Sequence, residues 1–347
     1  MTKVFTYQEA IDHIKSRKKP FSLLLGNGFS MSYDASIFSY KSLYESLSKN
    51  ADDLTKKLFD VVKTKNFELI MRQLKTTSEI LDAIDENTAL GDKVRSASES
   101  IRTHLLHSIQ ELHPEHVFKI PEEKSQKCAS VLNDFLQEGG HIFTTNYDLL
   151  LYWVLMRQNI QNHNDGFGKS LENPQEVGLG EDPEYSHLYW GPNAEGQNVH
   201  YLHGALHLFD SGVEIIKEQY SWEANLLEKI SARLDKGEYP IFVTAGDGSQ
   251  KLEHIRHNSY LSTCYDRLCN IDGYLVTFGF NFGAYDEHII EALNRAAHAE
   301  SKMPPKLWGI YIGTYSAEDI DHIRSIEHKF HAKIRIVNSQ TASFWGD

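Results

Sequence analysis

The sequence predicts an α/β protein built on a doubly wound, mainly parallel sheet. Two observations lead to this fold class. Short apolar runs typical of buried strands alternate with amphipathic helical patterns along most of the chain. The stretch 41–120 breaks the alternation, because its apolar residues show only helical spacing. We therefore expect a single domain over 1–347, with a helical insertion at 41–120 between the first and second core strands.

The elements follow from the pattern in chain order. A first helix is predicted at 7–16, and the first buried strand is Phe21-Ser22-Leu23-Leu24-Leu25, which Gly26 ends. Residues 159–198 are rich in Gly, Asn, Pro and Glu, which predicts a long loop or lid. Further strands are predicted at 141–144, 199–202, 239–243, 274–278, 307–312 and 334–337. Further helices are predicted at 125–136, 147–156, 224–234, 260–269, 287–296 and 317–328.

Charge and cysteine content limit the function classes. The net charge of −13 at pH 7 repels the nucleic-acid backbone, so we expect no nucleic-acid partner. The N-terminus lacks a signal pattern and no apolar run reaches membrane-spanning length, which predicts a cytoplasmic protein without a membrane partner. Three cysteines, Cys128, Cys264 and Cys269, suit a reducing compartment and cannot supply a four-thiolate zinc site.

The first candidate site is Gly26-Asn27-Gly28-Phe29-Ser30, which directly follows the first buried strand. Glycines there let the backbone approach a pyrophosphate, and free N–H groups would bind it. This placement predicts a Rossmann-like sheet. Met31 stands where the third glycine of G-x-G-x-x-G would be, and the region expected to carry an acidic strand end looks helical, which disfavours a dehydrogenase. The same glycines also fit an ordinary turn at a strand end.

Two further strand ends carry polar candidates. Thr144-Thr145-Asn146-Tyr147-Asp148 ends the second core strand, at the edge where open α/β sheets bind ligands. Asn146 offers a donor and an acceptor without titrating, whereas Asp148 either belongs to the site or caps the next helix. His203 stands at a strand end before Gly204, where imidazole can act as a base toward a ribose hydroxyl or water.

A late strand end completes the set, in the segment Phe278-Gly279-Phe280-Asn281-Phe282-Gly283 and the nearby Asp286. Gly279 would allow close approach to a ligand, and Asn281 would bond a ribose hydroxyl or a phosphate. An ordinary turn from strand to helix, with Asp286 near the helix cap, fits the same residues.

In combination these segments resemble the sirtuin (SIR2) superfamily, in its bacterial branch without a zinc module. Gly26-Asn27-Gly28-Phe29-Ser30 is similar to the glycine-alanine-glycine-x-serine loop, with Asn27 in place of alanine. Thr144-Thr145-Asn146-Tyr147-Asp148 has the form typical of bacterial SIR2-like defence proteins, and Tyr201-Leu202-His203-Gly204 is similar to the catalytic histidine-glycine. Gly279-Phe280-Asn281 stands where the superfamily has glycine-x-serine.

A narrower resemblance is to the uncharacterised bacterial SIR2-like family DUF4917. It depends on Asp165-Gly166-Phe167-Gly168 and on the segment from Gln250-Lys251-Leu252 to Cys264-Tyr265. The resemblance spans nearly the whole chain.

The resemblance implies a function and a set of site residues. NAD would be the substrate, without zinc, and Asn146 and His203 would be catalytic. The bacterial defence branch hydrolyses NAD to nicotinamide and ADP-ribose, often after a signal, which implies a regulated anti-phage effector with a homo-oligomeric or companion regulatory partner. A non-catalytic sensor of NAD or ADP-ribose is the alternative, and a protein deacylase or ADP-ribosyltransferase is a third possibility. The dinucleotide-binding residues would be Gly26, Asn27, Gly28, Phe29, Ser30, Thr145, Asp148, Gly279, Asn281 and Asp286.

Overall fold

A computed structural model describes residues 3–65, 67–84, 89–137, 139–169, 187–219, 225–243, 247–298 and 303–346. Within these ranges the protein has seven parallel strands in a central sheet and five antiparallel strands in a second sheet. Helices flank the central sheet, so the predicted α/β class is confirmed. The strands are, in chain order, β1 (Val4–Thr6), β2 (Phe21–Leu25), β3 (Ile142–Thr144), β4 (Phe167–Gly168), β5 (His187–Trp190), β6 (Val199–Tyr201), β7 (Gly204–Asp210), β8 (Ile215–Glu218), β9 (Pro240–Phe242), β10 (Gly273–Phe278), β11 (Leu307–Thr314) and β12 (Lys333–Asn338).

The central sheet has the strand order β1-β12-β11-β10-β2-β3-β6. Counted along the chain from β2 to β12, these core strands give the order 3-2-1-4-5-6 of dinucleotide-binding α/β proteins. The chain therefore reverses its direction of winding between β2 and β10, and this is the topological switch point. All five residues of β2 and all six of β10 are buried, as expected for strands covered on both faces.

The helices largely occupy the predicted positions. The first one begins at Tyr7, where the Thr6 hydroxyl and the Glu9 carboxylate form a capping box. The helices are α1 (Tyr7–Ser16), α2 (Asn27–Tyr33), α3 (Ala35–Phe38), α4 (Tyr40–Asn50), α5 (Asp53–Val62), α6 (Phe67–Ile84), α7 (Ala89–Leu112), α8 (Glu122–Gln137), α9 (Leu150–Arg157), α10 (Leu226–Asp235), α11 (Gly248–His257), α12 (Ser259–Leu268), α13 (Glu287–Ala296) and α14 (Ala317–Ile326). None of these described helices is long and apolar enough to cross a membrane.

The segment between β2 and β3 is helical, as its periodicity predicts. Helices α4 and α6 both pack against α7. Phe59 of α5 is buried against Phe67 of α6, with ring centroids 5.2 Å apart. The structure thus gives the inserted helices apolar contacts with one another, while their standing as a separate subdomain remains a prediction.

The second sheet, in the order β4-β5-β8-β7-β9, was not predicted. The strand expected at 239–243 is β9, and it pairs antiparallel with β7 rather than joining the parallel sheet. Strands β4 and β5 lie inside 159–198, so the described part of the predicted loop contains two short strands that were not expected, and its other described residues are turns or irregular. These strands are two and four residues long, too short to show periodicity. Residues 170–186 of the predicted lid lie outside the described residues.

Candidate functional site

A cleft of about 790 Å³ lies at the carboxyl ends of the parallel strands, around the switch point between β2 and β10. Its volume falls within the roughly 300–1,000 Å³ typical of small-molecule sites. Nine of the twelve predicted site residues line it: Asn27, Gly28, Thr145, Asn146, Asp148, His203, Gly279, Asn281 and Asp286. Gly26, Phe29 and Ser30 are buried outside the cleft lining.

The two predicted catalytic residues line the same cleft because their strands are neighbours. Thr144 of β3 pairs in register with Tyr201 of β6. Asn146 and His203 each lie two residues beyond these strand ends, on neighbouring strands whose backbones are about 4.8 Å apart. Tyr147 fills the space beside them, with its ring stacked on His203 at 6.4 Å and its hydroxyl donating to the carbonyl of Val243 at 2.7 Å. The sheet register therefore brings the carboxamide and the imidazole to one cleft wall.

The glycines join the ends of β2 and β10. The Gly26 N–H donates to the Phe278 carbonyl at 3.0 Å, and the Gly28 N–H donates to the Gly279 carbonyl at 2.9 Å. These two N–H groups are therefore not among the free N–H groups expected to bind a pyrophosphate. A Cβ on Gly28 would lie 2.5 Å from the Gly279 Cα, and Gly279 has a φ of +67°. The glycines are needed so that two backbones can touch, and the contact forms part of the cleft floor.

The segment after Gly26 is also more regular than predicted. Residues Asn27–Tyr33 form the short helix α2 directly at the end of β2. Phe29 of this helix is buried against Trp345, with ring centroids 4.9 Å apart, and the Trp345 indole donates to the Phe29 carbonyl at 3.0 Å. Phe29 thus anchors the glycine segment to the C-terminal part of the chain instead of lining the cleft.

Ser30 holds the polar side chains of the Asn146 segment. The Asn146 Nδ2 donates to the Ser30 Oγ at 2.9 Å, and the Ser30 hydroxyl donates to the Asp148 Oδ2 at 2.5 Å. These bonds fix the orientation of the Asn146 amide. Its Oδ1 accepts no hydrogen bond from the residues that the structure describes. The Asn146 carbonyl oxygen is therefore available as an acceptor for a ligand or a water in the cleft.

Asp148 lines the cleft and is not the N-cap of the next helix, because Leu149 occupies that position. The Asp148 Oδ1 accepts from the Leu150 N–H at 2.9 Å, next to the start of α9. Burial raises the pKa of the Asp148 carboxyl, while the bonds from Ser30 and Leu150 oppose that rise. Helix α9 begins at Leu150 rather than at the predicted Tyr147. The N–H of Leu149, the residue before this helix, donates to the His113 Nε2 at 3.0 Å.

His203 is paired with a second histidine that the sequence did not reveal. The His203 Nε2 and the His288 Nε2 lie 2.9 Å apart, with the rings stacked at 5.1 Å between centroids. Burial lowers the pKa of His203 well below its ordinary value, and lowers the pKa of His288 to about 3; the positive charge of Lys251 lowers both further. Both imidazoles are therefore neutral at neutral pH.

Lys251 forms an ion pair with Asp286, the residue just before α13. Its ammonium lies 3.3 Å from the Asp286 Oδ1, although its side chain is only 1% exposed. Sequence reasoning had noted Lys251 only as part of a family pattern and had missed His288. The position of His288 in the sequence could have identified it. Asp286-Glu287-His288 begins the helix that follows the late strand end, and His288 lies on the buried face of that helix.

The remaining cleft walls come from regions without a predicted site. One wall is polar and lies at the ends of β11 and β12; it contains Thr314, Tyr315, Asp319, Ser339 and Gln340. Another part of the lining is apolar; it contains Phe38 of α3 and, from the inserted helices, Leu43, Phe67, Leu105, Ile109 and Leu112. The amphipathic pattern of a helix does not tell which other element its apolar face covers, so this part of the lining could not be predicted.

Among the described residues, no group of three or more His, Cys, Asp or Glu side chains is arranged to hold a metal ion. The three cysteines are buried and carry free thiols. The cleft lining offers the oriented amide of Asn146, the neutral His203 with His288 behind it, and the three carboxyl groups of Asp148, Asp286 and Asp319.

The fold and site define a class of protein. A parallel sheet in the order 3-2-1-4-5-6, with a glycine-floored cleft at its switch point, is a Rossmann-like α/β protein. The chain belongs to the family described as Domain of unknown function (DUF4917), whose model matches residues 23–345. The match runs from within β2 to beyond β12 and so includes every segment that lines the cleft. No curated protein shows significant similarity to the chain.

Proposed function

We propose that this DUF4917 protein is a SIR2-like NAD glycohydrolase that converts NAD and water to nicotinamide and ADP-ribose. The observation that carries the proposal is the position of Asn146 and His203 in one cleft at the switch point of a Rossmann-like sheet. We further propose that it is a cytoplasmic effector of bacterial anti-phage defence. Because unrestrained hydrolysis would deplete the NAD of its own cell, a homo-oligomeric state or a companion protein would regulate it.

The polar groups of the cleft suit the bond that breaks. The bond between the nicotinamide nitrogen and the ribose carbon cleaves with its electron pair going to nicotinamide, and a water oxygen bonds to the same carbon while one proton is released. Positive charge develops on the ribose in such a reaction, as in other glycoside cleavages. The Asn146 carbonyl oxygen and the Asp148 carboxyl are the negatively polarised groups that we propose stabilise that centre or orient the water.

The cleft also offers suitable contacts for the rest of a dinucleotide. The contact between Gly28 and Gly279 leaves a floor without side chains, over which a pyrophosphate can lie close to the backbone. Asn27, Thr145 and Asn281 supply amide and hydroxyl groups on the cleft lining. Asp286, with Lys251 beside it, offers a carboxylate that can accept a hydrogen bond from a ribose hydroxyl.

The test is nicotinamide release by the purified full chain, followed by chromatography, with and without the products of neighbouring genes. We expect nicotinamide and ADP-ribose in equal amounts from the wild type. Asn146→Ala and His203→Ala should each reduce turnover by at least about 10²-fold, as the loss of a positioned catalytic group does. The exposed His328→Ala serves as the matched control and should keep full activity. Unchanged turnover in both cleft variants would reject the assignment.

A second candidate is a non-catalytic sensor of NAD or ADP-ribose. One observation favours it, because the inserted helices supply a cleft wall and His113, just after α7, accepts the Leu149 N–H beside the Asn146 segment. Ligand occupancy could therefore alter the contacts of the insertion. Calorimetry that shows binding, with no nicotinamide formed even alongside the neighbouring-gene products, would support the sensor and exclude the hydrolase.

A further inference from the structure

The histidine pair at the cleft wall allows only a few arrangements of its protons. His203 is 2% exposed and His288 is 1% exposed, and their Nε2 atoms lie 2.9 Å apart. At this distance one of the two atoms must carry the hydrogen and the other must accept it. Both rings are neutral, so each has one N–H and one bare nitrogen. Two arrangements remain, in which either His288 or His203 is the donor.

The other nitrogen of His288 distinguishes these arrangements. The His288 Nδ1 is buried and has no hydrogen-bond partner among the described residues. If His203 were the donor, the proton of His288 would sit on this Nδ1 as a buried, unsatisfied N–H. If His288 is the donor, the Nδ1 is only a bare acceptor. Orphaned buried N–H groups are the rarer of the two in folded proteins, so the second arrangement is favoured.

We infer that His288 is a positioning residue that donates its Nε2–H to the His203 Nε2 and thereby fixes His203 as the Nδ1–H tautomer. The bond to His288 occupies the Nε2 of His203, so the Nδ1 is the ring nitrogen that stays available. His203 lines the cleft. His203 therefore presents a hydrogen-bond donor to a ligand, and not a base. The role of that donor toward a ribose hydroxyl rests on the proposed function, whereas the tautomer itself does not.

The surroundings of the pair support a fixed neutral state. Lys251 on α11 places a positive charge near both rings. Tyr265 on α12 donates to the His288 carbonyl at 2.9 Å, which holds the backbone of α13 that carries His288. Tyr147 stacks on His203 from the side of β3. The carboxylate of Asp286, just before α13, is paired with Lys251. The imidazoles are thus held in place from three helices and one strand end.

The first test reads the tautomer directly from nitrogen NMR shifts of ¹⁵N-histidine-labelled full-length protein, with His203 assigned from the spectrum of a His203→Gln variant. We expect a protonated Nδ1 and a bare Nε2 on His203 in the wild type. A protonated Nε2 with a bare Nδ1 would overturn the inference while leaving the glycohydrolase proposal standing. Conversely, absence of NAD turnover would remove the glycohydrolase proposal and leave this spectrum as the test of the tautomer.

The second test removes the donor and restores it. His288→Leu cannot donate a hydrogen bond, whereas His288→Gln carries an amide N–H that can. We expect His288→Leu to change the His203 nitrogen shifts and, if the chain hydrolyses NAD, to lower kcat roughly tenfold to hundredfold with a smaller effect on KM. His288→Gln should retain the wild-type shifts and recover most of kcat. Equal His203 shifts in wild type and His288→Leu would contradict the inference.

A second histidine pair in the same chain provides the control. His141 and His200 are joined at 3.0 Å between Nδ1 and Nε2, at the start of β3 and outside the cleft. His141→Leu also breaks a bond between two histidines, and it should leave the His203 shifts and the turnover unchanged. If His288→Leu does not fold, the wild-type and His288→Gln spectra decide the question alone. A change of the His203 shifts in His141→Leu would show that the shifts do not report on the His288 bond.

Discussion

The hydroxyl of Ser30 determines how the Asn146 segment presents its polar atoms. Sequence reasoning placed Ser30 among the residues that bind the dinucleotide, but the side chain is fully buried and outside the cleft lining. It accepts a hydrogen bond from Asn146 and donates one to Asp148. The serine therefore lies outside the cleft lining and orients the Asn146 and Asp148 side chains, which line the cleft.

Removing this hydroxyl should cost stability and activity together. Ser30→Ala leaves the Asn146 Nδ2 and the Asp148 Oδ2 without their shared partner in a buried position. We expect the free energy of unfolding, measured by urea denaturation, to fall by about 1–3 kcal/mol. Ser325→Ala removes an exposed helical hydroxyl and should change it by less than about 0.5 kcal/mol. Equal stability of Ser30→Ala and wild type would show that the bridge is unimportant.

The neutral histidine pair predicts a dependence of stability on pH. Burial lowers the pKa of His288 to about 3 in the folded protein, from the ordinary value of 6.5 that the unfolded chain retains. Below pH 6.5 the unfolded state therefore binds a proton that the folded state does not, and stability falls as the pH falls. Each such histidine contributes up to about 1.4 kcal/mol per pH unit, and its contribution is complete above pH 6.5.

His288→Gln should make this acid slope shallower. The variant removes one proton-binding group of the unfolded state, so its free energy of unfolding should fall less than that of wild type between about pH 6.5 and 4.5. Urea titrations at stepwise pH measure the difference, with the exposed His328→Gln as control. If His288→Gln and wild type have the same slope, His288 is not a buried neutral histidine.

At the scale of elements, the contact between β2 and β10 fixes the geometry of the cleft. Here the Gly28 and Gly279 backbones approach more closely than any side chain allows. Gly139, between α8 and β3, has a similar φ of +72°, but a Cβ there would meet nothing within 4 Å. The two positions therefore separate the effect of backbone strain from the effect of close approach.

Gly279→Ala should be clearly more destabilising than Gly139→Ala. The latter carries only the cost of a left-handed backbone, roughly 1–2 kcal/mol. Gly279→Ala has this cost and also forces the strand ends apart, so we expect at least about 1–3 kcal/mol more, together with loss of ligand binding. Thermal or urea unfolding of both variants measures the difference. Equal losses of stability would mean that the junction of β2 and β10 tolerates a side chain.

One hydrogen bond joins the end of the insertion to the segment that carries Asn146. His113 is buried against Trp153, with ring centroids 4.4 Å apart, and its Nε2 accepts from the Leu149 N–H. Because Leu149 directly follows Asp148, this bond ties the end of α7 to the segment that carries Asn146. A change in the position of α7 can therefore be passed to that segment through this bond.

His113→Phe should loosen that link while keeping a ring in place. We expect the Leu149 amide to exchange its hydrogen roughly fivefold faster or more, in proportion to a lost hydrogen bond of about 1 kcal/mol. Hydrogen exchange read by NMR or by mass spectrometry of short peptides measures this. His107→Phe, an exposed change on α7, serves as control and should leave the amide unaffected. No acceleration in His113→Phe would show that other contacts hold the segment.

At the scale of the whole molecule, the sequence predicted the elements that depend on the local pattern of apolar and polar residues. Strands such as β2 and β10 are buried on both faces, so they appear as continuous apolar runs that end in glycine or polar residues. Those ends pointed to Asn146, His203 and Gly279. Strand order, and with it the position of the switch point, depends on pairings between distant segments and could not be read from the sequence.

The errors of the sequence-based predictions have the same origin. Strand β4 owes its regular structure to pairing with β5, and β5 in turn pairs with β8, which comes later in the chain. The Gly26 and Gly28 N–H groups appeared free because their acceptors lie on β10, some 250 residues later. His288 was missed because a histidine on the buried face of a helix looks like an ordinary core residue until its contact with His203 is known.

The central claim of this account is that the cleft at the switch point binds NAD. The most direct measurement is hydrogen exchange of the full chain with and without excess NAD, read over short peptides. We predict slower exchange at 145–149, at 203–204 and at 279–283, with no change at 207–217 in the second sheet. Exchange rates that NAD leaves unaltered at all three cleft segments, or that slow only in the second sheet, would contradict the claim.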